Sequence, residues 1–210
     1  MYPSESFSGL SNPRDKFVTR RELLARRDAI APHVRDAASV RIAARLRVLL
    51  SDHGVLGARI ALYAPKGSEV ATRTIDADVR DAGGCLVYPR VADSTQILDF
   101  YQVFPEDLVS GRFGLREPRA IEQTRVSLAD IQAYIVPGLG FDRNGWRIGW
   151  GRGHYDATLS SVSPNALRVG IAFECQLIDQ APHEPHDAQL QFVVTELATY
   201  KASSWISSSS

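Results

Sequence analysis

The chain has 210 residues, of which 44% are apolar and 23% charged, enough apolar material to bury a core in one domain and too much for global disorder. Its 24 Lys and Arg balance its 24 Asp and Glu, so no overall charge favours nucleic acid or an anionic membrane. No apolar run approaches the roughly 20 residues that span a bilayer, and the N-terminal MYPSESFSGLSNPRDKF lacks the apolar stretch of a signal peptide, so a cytoplasmic protein without membrane or nucleic-acid partners is expected.

Residues 1–13 are rich in Ser and Pro and read as a loose extension, residues 14–200 as a single domain, and residues 201–210, which end in four serines, as a tail. A first helix is expected from about Pro13 to Ala31, with Phe17, Leu24 and Ala25 at compatible spacing. A second covers about Arg35 to Leu50, where Ile42, Leu46 and Leu49 recur along one stripe. Between Arg14 and Arg47, ten Lys or Arg accompany four Asp or Glu. That basic segment on a neutral chain suits an anionic ligand such as nucleotide phosphates, or is a solvated helix face.

Arg59–Tyr63 is strand-like and is stopped by Pro65 and Gly67. A helix is expected from Glu69 to about Ala82, closed by Gly83-Gly84. Cys85–Tyr88 is a strand, Ile97–Val103 alternates as an antiparallel strand, and Ile131–Val136 (IQAYIV) reads as a strand covered on both faces. A helix begins near Tyr155, with strands near Arg168–Phe173 and Phe192–Thr195. The alternation implies an α/β fold, a mostly parallel sheet sandwiched by helices in three Rossmann-like layers, with the N-terminal helices packed on the sheet. Such sheets bind ligands at the carboxyl ends of their strands, here the loops after Tyr63, Val136 and Phe173. Cys85 and Cys175 lie far apart in apolar contexts and read as buried free thiols.

The densest signal is VPGLGFDRNGWRIGWGRGHYD, Val136 to Asp156. A buried strand passes into Gly145, Gly149, Gly151 and Gly153 and then into a helix. Closely spaced glycines let backbone N–H groups approach an anion, a helix N-terminus adds orphan donors, and Arg147 and Arg152 add cations that can grip phosphate. The spacing is neither that of a Walker A loop nor that of a dinucleotide fingerprint. No Ser-His-Asp or Cys-His arrangement suggests a covalent nucleophile. His183 and His186 stand in a proline-rich loop and read as loop sequence rather than a zinc site.

This stretch resembles the signature of the 5-formyltetrahydrofolate cyclo-ligases at Pro137, Gly138, Phe141, Asp142, Gly145, Arg147, Ile148, Gly149, Gly151, Gly153, Tyr155 and Asp156. Four further blocks occur in the family's order: Lys16 and Arg20 with the following LLARRDA; Leu62-Tyr63 through Pro65 with Gly67-Ser68-Glu69-Val70; GRFGLREP at Gly111–Pro118; and His186-Asp187 with VVTE at Val193–Glu196. The resemblance implies ATP- and Mg2+-dependent closure of 5-formyltetrahydrofolate, with or without a polyglutamate tail, to 5,10-methenyltetrahydrofolate through phosphorylation of the formyl oxygen, by a monomer.

It further implies that Lys16, Arg20 and the loop Arg147, Ile148, Gly149, Trp150, Gly151, Arg152, Gly153, His154 and Tyr155 bind ATP. Ala64, Glu69 and the inner loop from Trp150 to His154 would border folate, Asp156 and Asp187 would hold Mg2+, and Arg152 and Lys16 would act in catalysis. Tyr63 is a candidate neighbour of the pterin, whereas Glu117-Pro118 reads as structural. The chain departs from the family at His154, where Tyr is usual, at Trp150 in place of a common Tyr, and at Ala157, where Arg often follows the aspartate. Those departures leave open a relative that binds folate or nucleotide without cyclising it. A sugar-phosphate isomerase on a similar sheet rests on fold analogy alone.

Overall fold

Alternation at period two divides the apolar residues of the strands between two sheet faces. Ile60, Leu62, Leu86, Tyr88, Ala133, Ile135, Val169, Ile171, Phe192 and Val194 belong to one buried cluster. Ala61, Val87, Tyr134, Val136 and Val193 belong to another. The computed structural model describes residues 13–203, with side chains from Thr19 onward. All of the expected extension but Pro13, and most of the expected tail, therefore lie outside the described residues, as do the side chains of Lys16 and Phe17.

In chain order the elements are α1 (Pro13–Asp28), α2 (Pro32–Asp52), β1 (Arg59–Ala61), α3 (Arg73–Asp81), β2 (Cys85–Arg90), β3 (Asp99–Gln102), β4 (Val109–Ser110), β5 (Arg116–Glu117), β6 (Arg125–Val126), β7 (Ala133–Val136), β8 (Gly140–Phe141), β9 (Arg147–Ile148), α4 (His154–Leu159), β10 (Leu167–Ile171), β11 (Phe192–Val194) and β12 (Thr199–Lys201). Eight strands form one sheet in the order β12-β11-β10-β7-β1-β2-β3-β6. From β11 to β2 the pairings are parallel, and β12, β3 and β6 add antiparallel edges. This is the expected α/β architecture. β7 sits between β1 and β10 in register with both, Ala133 facing Ile60 and Leu167, and all four of its residues are buried.

On the first face, α2 presents Ile42, Leu46 and Leu50 one turn apart, and α3 presents Ile75 and Val79. Each such side chain, fully buried, contributes about 1.5–3 kcal/mol. The second face is covered by α4, through Leu159, by β8, through Phe141, and by the loop that carries Leu190. Helix α1 lies apart from both clusters. Its buried apolar anchor is Leu23, within a small third cluster with Leu139, Ile148, Ile178 and Ala181, against which Leu24 packs partly buried. The sequence spacing had pointed to Leu24 and Ala25; in so polar a helix the apolar positions are too few to define a face.

Several boundaries differ from expectation for local reasons. Helix α1 ends at Asp28 because Pro32 forces Ala31 into an extended conformation (φ −58°, ψ 142°), and Pro32 opens α2 at its first turn, three residues before the expected start. Helix α3 begins at Arg73 rather than Glu69. The Glu69 carboxylate accepts the Lys66 N–H at 2.9 Å and its own N–H reaches the Lys66 carbonyl, so this segment closes a turn instead of opening a helix. Helix α4 has six residues and starts at His154, one residue before the expected start. The final strand β12 runs one residue into the expected tail and covers the free edge of β11.

Candidate functional site

A cleft of about 1200 Å3 opens at the carboxyl ends of β1, β2 and β7, where ligands bind in parallel sheets. Every described residue singled out from the sequence for ATP, folate or Mg2+ lines it: Arg20, Ala64, Glu69, the loop from Arg147 to Asp156, and Asp187. Lys16 was assigned to ATP and to catalysis, and its side chain lies outside the described residues. Tyr63 also lines the cleft, while its hydroxyl donates to the Val70 carbonyl at 3.2 Å.

The glycine loop folds over α1. Arg20 Nε donates to the Gly149 carbonyl at 2.9 Å, and the guanidinium packs flat against Gly151, where a Cβ would lie 3.0 Å from it. Gly151 is also left-handed (φ 84°), so glycine is needed there for both reasons. Upstream, β8 and β9 form a two-strand hairpin that carries Arg147 into the cleft wall.

Arg147 is not an exposed cation. Its side chain is 5% accessible and donates to Asp156 Oδ1 at 2.7 Å, with the Tyr155 ring 5.4 Å beneath the guanidinium and a buried Nε that has no partner among the described residues. The sequence gives Arg147 a phosphate-gripping role; here it lines the cleft with one guanidinium nitrogen paired to Asp156. Arg152 by contrast is exposed and stacks on the ring of Phe113, 3.5 Å from its centroid. Phe113 is left-handed (φ 59°), and its carbonyl accepts a hydrogen bond from Lys66 Nζ. Three loops thus meet across the mouth of the cleft. Phe113 and Lys66 were not singled out from the sequence; the Phe113-Gly114 pair is a turn signal but does not say what the turn faces.

Glu69 lines the same cleft. Its side chain is 9% accessible, with Arg27 NH1 at 3.9 Å and the Trp150 indole also beside it. Burial raises its pKa above the ordinary glutamate value, and the Lys66 N–H and the Arg27 charge only partly offset this. Arg27, almost fully buried, also donates to Ser68 Oγ at 2.9 Å and to the Gly138 carbonyl at 3.4 Å. Among the unexpected lining groups are Gln96, whose carbonyl meets His154 Nδ1 at 3.0 Å, and Glu117, a buried carboxylate beside Arg90.

The fit of a magnesium ion follows from donor chemistry. Mg2+ takes one or two carboxylates and completes its octahedron with water and phosphate oxygens. Asp156 has one oxygen engaged by Arg147 and no hydrogen bond to the other among the described residues. Asp187 Oδ2 accepts the Glu184 N–H at 2.7 Å. Two hard oxygen donors lining one cleft suit Mg2+ bound with nucleotide phosphates. No group of three or more His, Cys, Asp or Glu among the described residues forms a self-sufficient metal cage. His183 stacks parallel on Trp146 at 3.8 Å. The cysteines are free and partly rather than fully buried.

The model of the 5-formyltetrahydrofolate cyclo-ligase family matches residues 12–196. The 5-formyltetrahydrofolate cyclo-ligase of Mycolicibacterium smegmatis is 31% identical over 188 residues, covering 88% of this chain and 95% of its own. That of Escherichia coli is 30% identical over 144 residues, covering 67% and 79%. Among solved structures, 5,10-methenyltetrahydrofolate synthetase from Aquifex aeolicus superimposes with a TM-score of 0.76 at 28% identity, over 93% of this chain and 96% of the other.

Proposed function

The chain belongs to the 5-formyltetrahydrofolate cyclo-ligase family, and we propose that its cleft aligns Mg2+-bound ATP with the formyl oxygen of 5-formyltetrahydrofolate. It is a ligase of folate metabolism, and its reaction is closure to 5,10-methenyltetrahydrofolate. The reading of a relative that binds without cyclising is not favoured. The observation that carries the site assignment is the shared volume. The glycine loop with Arg20, the two aspartates and the buried Glu69 all face one cleft, rather than two separated pockets.

A formamide carbonyl is a poor electrophile, so transfer of the terminal phosphoryl group to its oxygen creates the leaving group that ring closure needs. N10 of the folate then attacks the formyl carbon and inorganic phosphate departs. The protein's task is alignment and charge neutralisation. Loop amides from Gly149 to Gly153, with Arg20, hold the phosphates. Arg152, exposed on the loop, meets the charge that develops during transfer. Asp156 and Asp187 would hold Mg2+, which when bound neutralises the phosphate oxygens. Glu69 accepts hydrogen bonds from the pterin N–H edge, with Ala64 and Trp150 beside it. Among the described residues no helix is long and apolar enough to cross a membrane, and we read the protein as a cytoplasmic monomer.

The test is formation of the methenyl chromophore, followed in the near ultraviolet with and without ATP. A folded protein that produces no absorbance rise with pure substrate, ATP and Mg2+ overturns the proposal.

A further inference from the structure

The signature aspartate at 142 contributes nothing to the cleft surface, yet it is a fully buried carboxylate with an unusual set of partners. Oδ1 accepts the N–H groups of Asn144 and Trp146 at 2.9 and 3.0 Å, and Oδ2 accepts the Ala181 N–H at 2.9 Å. One oxygen therefore shapes the turn between β8 and β9, while the other reaches a segment 39 residues away in sequence. Burying a carboxylate is costly, and three backbone donors are what make it tolerable here. Burial still leaves its pKa raised.

The same turn grips that distant segment at several points. The Ile178 N–H donates to the Phe141 carbonyl at 2.9 Å, and the Leu190 N–H to the Gly145 carbonyl at 2.9 Å. Gln189 Nε2 donates to the Asn144 carbonyl at 2.7 Å, and Trp146 stacks on His183. Gly145 lies so close that a Cβ would fall 2.0 Å from the Leu190 oxygen. Between the anchors at Ala181 and Ala188–Leu190 runs the stretch that carries Asp187. Within it, the hydrogen bonds of Glu184 with Asp187 are short-range, closing a turn on itself. The Ala188 N–H points back to Asp156 Oδ1 at 3.4 Å.

We infer that Asp142 is a positioning residue for nucleotide and metal binding: its two oxygens lock the hairpin that presents Arg147 to the loop that presents Asp187, and so fix the two sides of the Mg2+ and phosphate site relative to one another. The inference rests on the reading of Asp187 as a metal carboxylate. Asp142 touches no ligand and acts through the segment 181–188. An amide in its place cannot satisfy all three donors. In one orientation its NH2 faces the Ala181 N–H; in the other it faces the pair from Asn144 and Trp146.

The test compares Asp142→Asn, His183→Ala and Asp187→Asn by steady-state kinetics and by hydrogen exchange of backbone amides. For Asp142→Asn, exchange in 181–187 should rise about tenfold while β7 and β1 stay protected. The KM for Mg-ATP should rise about tenfold, with the KM for 5-formyltetrahydrofolate and kcat within about threefold. His183→Ala, at an exposed ring, should show the same pattern at about threefold, and it decides the matter alone if Asp142→Asn does not fold. Unchanged exchange in 181–187, or both KM values rising together, overturns the inference. If Asp187→Asn leaves the Mg-ATP dependence unaltered, the metal assignment itself fails, a result distinct from a failure of Asp142→Asn alone.

Discussion

Replacing Arg27 by Met keeps the volume of the side chain and removes its charge. The guanidinium is 3% accessible and meets Ser68, Gly138 and Glu69. Two of these keep another partner after the change, since Gln176 Nε2 still donates to the Gly138 carbonyl at 2.9 Å and Ser68 Oγ still bonds Asp28. Glu69 loses its cation and retains the Lys66 N–H. Removing one member of a buried ion pair costs about 3–5 kcal/mol. The 3.9 Å separation and the surviving hydrogen bonds place this case at the lower end, about 3 kcal/mol, or roughly 6–12 °C in Tm for a domain of this size. The pH dependence separates this mechanism from simple loss of packing. Glu69 has a folded pKa already above the ordinary value of 4.5, and losing Arg27 raises it further. A carboxylate with a raised folded pKa favours the native state most below its unfolded pKa, and this contribution is lost as pH rises through the folded value. The Tm deficit of Arg27→Met should therefore be larger at pH 8 than at pH 5. The acid limb of the KM for 5-formyltetrahydrofolate should also move to higher pH, because the ionised carboxylate is the better acceptor. Thermal unfolding and initial rates across that range measure both. A pH-independent Tm deficit with an unmoved acid limb refutes the coupling.

Asp156→Asn should lower kcat at least about a hundredfold at saturating Mg2+, because it weakens the carboxylate proposed to hold the metal and leaves the buried Arg147 without its counter-ion; a rate within about threefold of the parent under a Mg2+ titration contradicts this. Gly151→Ala forces a left-handed backbone and brings a methyl group to 3.0 Å from the Arg20 guanidinium. Strain of about 1–2 kcal/mol should raise the KM for ATP about tenfold and that for folate by less, as separate titrations of the two substrates will report. Cys175, whose thiol burial pushes up to about 11, should alkylate at pH 7.5 at least about a hundredfold more slowly than an unperturbed thiol, because so little thiolate is present; peptide mapping of a time course checks it.

The strands that organise the cleft were legible because each is an apolar run ended by a proline or glycine break, as in IQAYIV before Pro137-Gly138. Strands β4, β5, β8 and β9 have two residues each, too few for any period to register. Glu69 was recognisable as a cleft acid through the family block, but its turn was not. Glu69 also suits a helical first turn, and the competition is decided by the Lys66 N–H that its carboxylate captures. Nothing local distinguishes Arg26 from Arg27. Only the docking of α1 through Leu23 buries the second and leaves the first exposed. The Phe113 ring under Arg152 is likewise a meeting of loops distant in sequence.

The cations around the cleft differ in how firmly they are held, and that difference assigns their work. Arg27 and Arg147 are buried and paired with carboxylates, so pulling either away would strand a charge at a cost of several kcal/mol. Arg20 is held by the Gly149 carbonyl on the loop it supports. These three build the frame. Arg152 is exposed and held on a ring face, a contact of about 0.5–1 kcal/mol at an exposed site. A charge-assisted, bidentate hydrogen bond to phosphate outweighs that contact. Among the described arginines of the cleft wall, Arg152 can therefore leave its resting partner for a transferring phosphoryl group without unsettling the fold, which is the property its catalytic assignment requires.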